Sequence, residues 1–130
     1  MHDEPTIFSK IGGEPTFIAI VDAFYRSVET DPILRPLYPE DLADSRRHLA
    51  LFLIQYFGGP RTYEAERGHP RLRLRHAHFE VGERERDAWL KHMLGAINEV
   101  GIAEPARTTL VNYMVSTADF LVNVPRQIGI

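Results

Sequence analysis

The stretch GHPRLRLRH, residues 68–76, runs on into Ala77, His78 and Phe79 and holds the densest chemistry in the chain. Three histidines (His69, His76, His78) alternate with three arginines (Arg71, Arg73, Arg75) and two leucines. A His76-x-His78 pair could ligate zinc from a strand, with His69 as a third ligand. Arg67, Arg71, Arg73 and Arg75 oppose a bare dication there, and no Asp lies between Asp44 and Asp87 to offset them. The nearest acids for an outer shell are Glu64, Glu66 and Glu80. Arg-x-Arg-x-Arg could instead contact phosphates. Tyr63 and Phe79 are then the only nearby aromatics for base stacking, and the net charge is −3. The third chemistry is a flat, apolar, anionic cofactor with a metal at its centre. Haem is that object: it takes one axial histidine, apolar walls and cations for its propionates. Leu72 stands four residues before His76, so on a short helix both share a face. The opposite face leaves Arg71 and Arg75 as the candidates for a propionate. Only this reading accounts for leucine mixed with arginine and histidine.

The elements that must position this stretch are helical. After Gly12-Gly13, Pro15 suits the first turn of a helix. Phe17, Ile20, Val21, Phe24, Tyr25 and Val28 then recur on one face, and Asp31-Pro32 stops the helix. Residues 33–42 hold Pro36 and Pro39 and predict a short turn or 3₁₀ piece. Asp44 is the expected N-cap of a second helix, with Leu49, Phe52, Leu53 and Tyr56 on one face and Gly58-Gly59-Pro60 as its end. Residues 58–70 read as a long loop. A third helix follows Gly82, with Trp89, Leu90, Met93, Leu94, Ile97 and Val100 at helical spacing and Gly101 as its stop. The last begins near Pro105, carries Leu110, Val111, Met114, Ala118, Leu121 and Val122, and ends at Pro125. The fold class is therefore all-α: about four main helices around one core.

Composition sets the outer bounds. The 130 residues make one domain, residues 1–130, with 44% hydrophobic and 25% charged residues. With no cysteine, disulfides, iron–sulfur clusters and thiolate zinc sites are excluded. The first five residues carry no secretory signature, and no apolar run reaches the roughly 20 residues of a membrane helix. A cytoplasmic location, with no nucleic-acid or membrane partner, is the expectation.

Candidate walls for the cofactor come from the helix faces: Leu49, Phe52 and Leu53 on the second, Trp89 and Met93 on the third, with Tyr63 and Phe79 beside the central stretch. Plain core packing is the alternative for the leucines. Tyr25, Tyr38 and Trp89 carry donors that need partners when buried, and a diatomic ligand could be one.

At these residues the chain resembles the group II truncated haemoglobins, short globins with a two-over-two helical sandwich enclosing haem. The resemblance rests on IGGEPTF (11–17), FYRSV (24–28), LRPLYPEDL (34–42), FLIQYFGGPRTYEAERGHPRLRLRH (52–76) and ERDAWL (85–90), and covers about residues 7–125. It implies haem b (iron protoporphyrin IX) held by His76 in a five-coordinate state. It implies distal donors at Tyr25, Tyr38 and Trp89, an apolar distal position at Leu49, and Ser45 where longer globins place a distal histidine. His48 turns away from Leu49 toward the haem rim, with a propionate contact or solvent as its expected partner. Phe57 departs from the tryptophan common at its position, and His78 is unexpected so close to His76. The resemblance further implies that the first helical segment is divided, that the last two helices face each other, and that residues 58–70 are nearly structureless.

The expected ligands are O₂, CO, NO or similar diatomics. Each charge-assisted hydrogen bond is worth roughly 1.5–3 kcal/mol, so two donors would slow ligand escape by on the order of a hundredfold or more. Tight, slow-release O₂ binding follows. The rival reading is a haem redox enzyme, for nitric oxide dioxygenation or for peroxide and peroxynitrite detoxification. A reductase and a second copy of the chain are candidate partners.

Overall fold

A computed structural model describes residues 5–77 and 80–123. The elements are α1 (Ile7–Lys10), α2 (Glu14–Val28), a 3₁₀ turn (Arg35–Leu37), α3 (Ala43–Tyr56), α4 (Thr62–Arg67), α5 (Leu72–His76), α6 (Glu83–Val100) and α7 (Ala106–Leu121). No strand occurs among the described residues. Helix α2 packs on both α3 and α6, and α6 packs on α7. The pair α2–α3 thus lies across the pair α6–α7, the two-over-two sandwich. The short helices ride on this frame, α4 on α3 and α5 on α7.

The apolar stripe of α2 makes the centre of the core. Phe17, Ile20, Val21, Phe24, Tyr25 and Val28 are all buried, facing Met93 and Ile97 of α6 and Leu110 and Met114 of α7 across one cluster. Each fully buried side chain of this size contributes roughly 1.5–3 kcal/mol. No described helix is long and apolar enough to cross a membrane.

Three expectations change, and one element is added. Helix α3 begins at Ala43 with Leu42 in the cap position, and the Ala43 N–H is satisfied by Asp41 Oδ1 at 2.9 Å, so Asp41 rather than Asp44 supplies the side-chain acceptor. Asp44 lies in the first turn, where a carboxylate suits the positive helix end. Residues 58–70 are not a plain loop, because Thr62–Arg67 form α4. Its Tyr63 is buried edge-on against Phe52, with ring centroids 5.6 Å apart, and the Glu64 N–H donates to Gln55 Oε1 at 2.8 Å. The first segment is undivided: α2 runs unbroken from Glu14 to Val28. Finally, α1 precedes it, docked by the Phe8 N–H on the Phe57 carbonyl at 2.9 Å. Gly58-Gly59 therefore do more than stop α3. A Cβ on Gly59 would come within 2.7 Å of Ile54 Cγ2 and 2.8 Å of the Phe8 ring, so the glycine makes room for α1. Helix α7 ends at Leu121, with Val122 as its cap. Pro125, the expected stop, lies outside the described residues, as do His78 and Phe79.

Candidate functional site

Four of the sequence-predicted residues meet at one point. Tyr25 comes from α2, Tyr38 from the residue after the 3₁₀ turn, Ser45 from the first turn of α3 and Trp89 from α6. The Tyr25 and Tyr38 rings stand edge to face at 5.6 Å, and Phe24 packs at 5.0 Å from Tyr25 and 5.5 Å from Trp89. The Tyr25 hydroxyl and the Trp89 N–H lie beside the Tyr38 hydroxyl, and Ser45 lies beside that of Tyr25, near enough to bear on their ionisation. Burial pushes the Tyr38 hydroxyl up to about 12, against the influence of Tyr25 and Trp89. The Tyr25 hydroxyl goes higher still, through burial first and then its neighbour Tyr38, with Arg46 and Ser45 pulling the other way. Both phenols therefore stay protonated and remain donors at neutral pH.

The Tyr38 turn is held from both ends, which the sequence reading missed. Arg35 wraps its guanidinium round the far end, donating to the carbonyls of Tyr38 (3.3 Å), Pro39 (2.9 Å) and Glu40 (2.7 Å). Asp31 holds the near end, its Oδ1 accepting from the N–H groups of Ile33 (2.7 Å) and Leu34 (2.9 Å). Asp31-Pro32 had the local signature of such a turn.

The central stretch is built differently. Arg71 adopts a left-handed conformation (φ 46°) and opens α5, a single turn that brings His76 over Leu72. His76 Nδ1 lies 2.6 Å from the Leu72 carbonyl oxygen. A carbonyl only accepts, so Nδ1 carries a proton, and in the neutral ring the lone pair falls on Nε2. That is the state a metal-ligating histidine needs. Asn123, just past α7, donates from Nδ2 to the His76 carbonyl at 3.2 Å. Arg75 donates to the carbonyls of Pro70 (2.7 Å) and Arg67 (3.1 Å), which straps the approach to α5. Arg73 turns outward onto α7, over the Phe120 ring at 4.0 Å.

An open cleft of about 360 Å³ lies beside α5, lined by Arg67, Gly68, His69, Arg71, Leu74 and Arg75. Its arginines have no carboxylate partner among the described residues, whereas Arg26, Arg46, Arg47, Arg61 and Arg86 each face one. His48 does not stand alone, because its Nδ1 pairs with Arg67. Burial first, and then Arg67, lower its pKa, so it stays neutral and accepts. Leu49 and Phe52 are half-buried on α3, as is Leu72 on α5, while Leu53 and Met93 are sealed in the core.

These residues fit haem. A histidine with an oriented Nε2, cations without carboxylates and half-buried apolar side chains are the donor set it requires.

The comparisons agree with this fold. The bacterial-like globin family matches residues 6–123, and the chain belongs to it, among the group II truncated haemoglobins. It is 40% identical to the group 2 truncated haemoglobin YjbI of Bacillus subtilis over 111 residues, 85% of this chain and 84% of that one. It is 60% identical to the haemoglobin of the thermophilic phototroph Chloroflexus aurantiacus, with a TM-score of 0.92 over 93% of this chain and all of that one. The truncated oxygen-avid haemoglobin of Bacillus subtilis aligns at 39% identity and a TM-score of 0.87, covering 92% of this chain and all of that one.

Proposed function

We propose that this protein binds haem b through His76 and holds O₂ or a similar diatomic ligand tightly against Tyr25, Tyr38 and Trp89. The convergence of three donors, Tyr25 buried and Tyr38 and Trp89 half-buried beside it, carries this reading. When bound, haem would be held by His76 and would supply the iron that binds a diatomic ligand.

The chain supplies the rest. Leu72 orients the His76 ring through its carbonyl. Arg71, on the open cleft, offers its guanidinium to a propionate, and Arg75 holds the loop that carries it. Leu49, Phe52 and Leu72 keep the pocket apolar, which strengthens every hydrogen bond made inside it. A ligand with partial negative charge accepts from Tyr25, Tyr38 and Trp89. No side chain of this cluster is a base at neutral pH, and His48 is committed to Arg67. Holding a ligand therefore suits the cluster better than splitting peroxide, which needs a distal base.

The likeness to an oxygen-avid haemoglobin supports slow release. The test is the O₂ release rate of the haem-loaded protein by stopped-flow displacement. Slow release is expected, and a Tyr38→Phe variant should release O₂ roughly tenfold faster. Fast release by the unaltered protein would overturn the reading.

A further inference from the structure

His92 lies one helical turn after Trp89 on α6, on the same face of the helix. Its Nε2 is 2.6 Å from Asp31 Oδ2, and neither side chain is more than 15% exposed. Asp31 is the residue whose other oxygen organises the turn leading to Tyr38. Its backbone carbonyl also accepts from the Arg35 N–H at 2.9 Å, and Arg35 clamps the far end of the same turn. The turn is anchored in the core by Leu34, which is buried, with Ile33 and Leu37 packed half-buried against the same cluster. Helix α6 thus grips this segment twice: Trp89 at the Tyr38 hydroxyl and His92 at the Asp31 carboxylate.

We infer that His92 is a positioning residue for the ligand site, fixing the Tyr38 hydroxyl against Trp89 by holding Asp31. A carboxylate only accepts, so His92 Nε2 donates and the contact is charge-assisted. The Asp31 carboxyl is held below its ordinary range, by His92 first and then by the backbone N–H groups it accepts. The carboxylate is therefore the anchoring species over the working pH range. Apolar packing by Leu34, Ile33 and Leu37 sets the depth of the turn. The two hydrogen-bonded ends supply the rotation, and with it the direction of the Tyr38 hydroxyl. Asp31 and His92 are 61 residues apart, so this coupling exists only in the folded chain.

The inference rests on the reading of Tyr38 as a ligand donor, and the experiment separates the two. The CO stretching frequency of the haem-loaded CO complex reads the donors at the ligand. The single tryptophan gives one indole N–H resonance in that diamagnetic complex. His92→Phe should shift both signals in the direction of Tyr38→Phe and speed O₂ release roughly three- to tenfold, a fraction of one ligand hydrogen bond. His92→Gln, which keeps a donor of similar reach, should restore the unaltered spectra. In a Tyr38→Phe background, His92→Phe should add nothing to the CO shift. If Tyr38→Phe moves the CO frequency and neither His92→Phe nor Asp31→Asn does, His92 is a structural contact only and the inference is wrong. If Tyr38→Phe itself leaves the frequency unmoved, the donor role of Tyr38 fails and the inference with it.

Discussion

The rings of Tyr25 and Tyr38 meet edge to face, 5.6 Å apart with their planes at 83°. The two residues come from α2 and from the turn after Pro36, thirteen positions apart, and Ser45 of α3 and Trp89 of α6 complete the group around their hydroxyls. A pair of phenols in this arrangement is a store of donors rather than a catalytic acid. Burial keeps both protonated far above neutral pH.

Trp89 is the donor whose removal should be cleanest. Its ring also packs on Phe24 at 5.5 Å, so Trp89→Phe keeps an aromatic ring there and loses the N–H. O₂ release should quicken by about tenfold, the loss of one charge-assisted hydrogen bond. Laser photolysis and stopped-flow mixing measure it. An unchanged rate would remove Trp89 from the donor set.

The raised phenols make a pH prediction with a definite sign. Tyr38 ionises near 10.0 when unfolded and near 12 when folded. Above pH 10.0 the unfolded chain loses this proton first, so stability falls as pH rises from about 10 to about 12. Below that window the contribution of Tyr38 is constant. Thermal unfolding followed across it should show a shallower decline for Tyr38→Phe than for the unaltered protein. Parallel curves would contradict the assignment.

Gly59 tests the docking of α1. Its missing Cβ leaves room for Phe8 and for the Ile54 methyl group, both closer than 3 Å to where that atom would lie. Gly59→Ala should cost about 1–3 kcal/mol through overpacking, read as a lower midpoint in urea at unchanged slope. Haem uptake by the folded fraction should be unaffected, because the atoms that the new Cβ would meet belong to Ile54 and Phe8 and not to Tyr38 or His76.

Much of this architecture is legible in the sequence, for a physical reason. The stripes on α2, α6 and α7 are long enough for helical periodicity to declare itself. All six expected positions on α2 are buried, whereas on α6 and α7 Met93, Ile97, Leu110, Met114 and Ala118 are buried and Trp89, Leu90, Leu94, Val100 and Val111 only half-buried. Leu72 and His76, at a spacing of four, fall on one turn as the sequence implies, and that turn supplies the carbonyl that sets the histidine tautomer. The short helices are not legible. Four residues in α1 and six in α4 are too few to be helical alone, since isolated helices below about 12–15 residues are marginal. They exist because Phe8 reaches Phe57 and Tyr63 reaches Phe52. Asp41 and Asp44 both have the chemistry of an acceptor at a helix start, so pattern alone does not choose between them. The Asp31–His92 contact has no local signature at all, because its partners meet only when α6 crosses the turn.

The central claim is that His76, and no other histidine of the central stretch, holds haem. It is tested most directly by the absorption spectrum of the haem-loaded protein beside those of His76→Ala, His69→Ala and His78→Ala. The account predicts a strong Soret band for the unaltered protein, retained when His69 or His78 is replaced and lost in His76→Ala. A full Soret band in His76→Ala, or its loss in one of the other two variants alone, would contradict it.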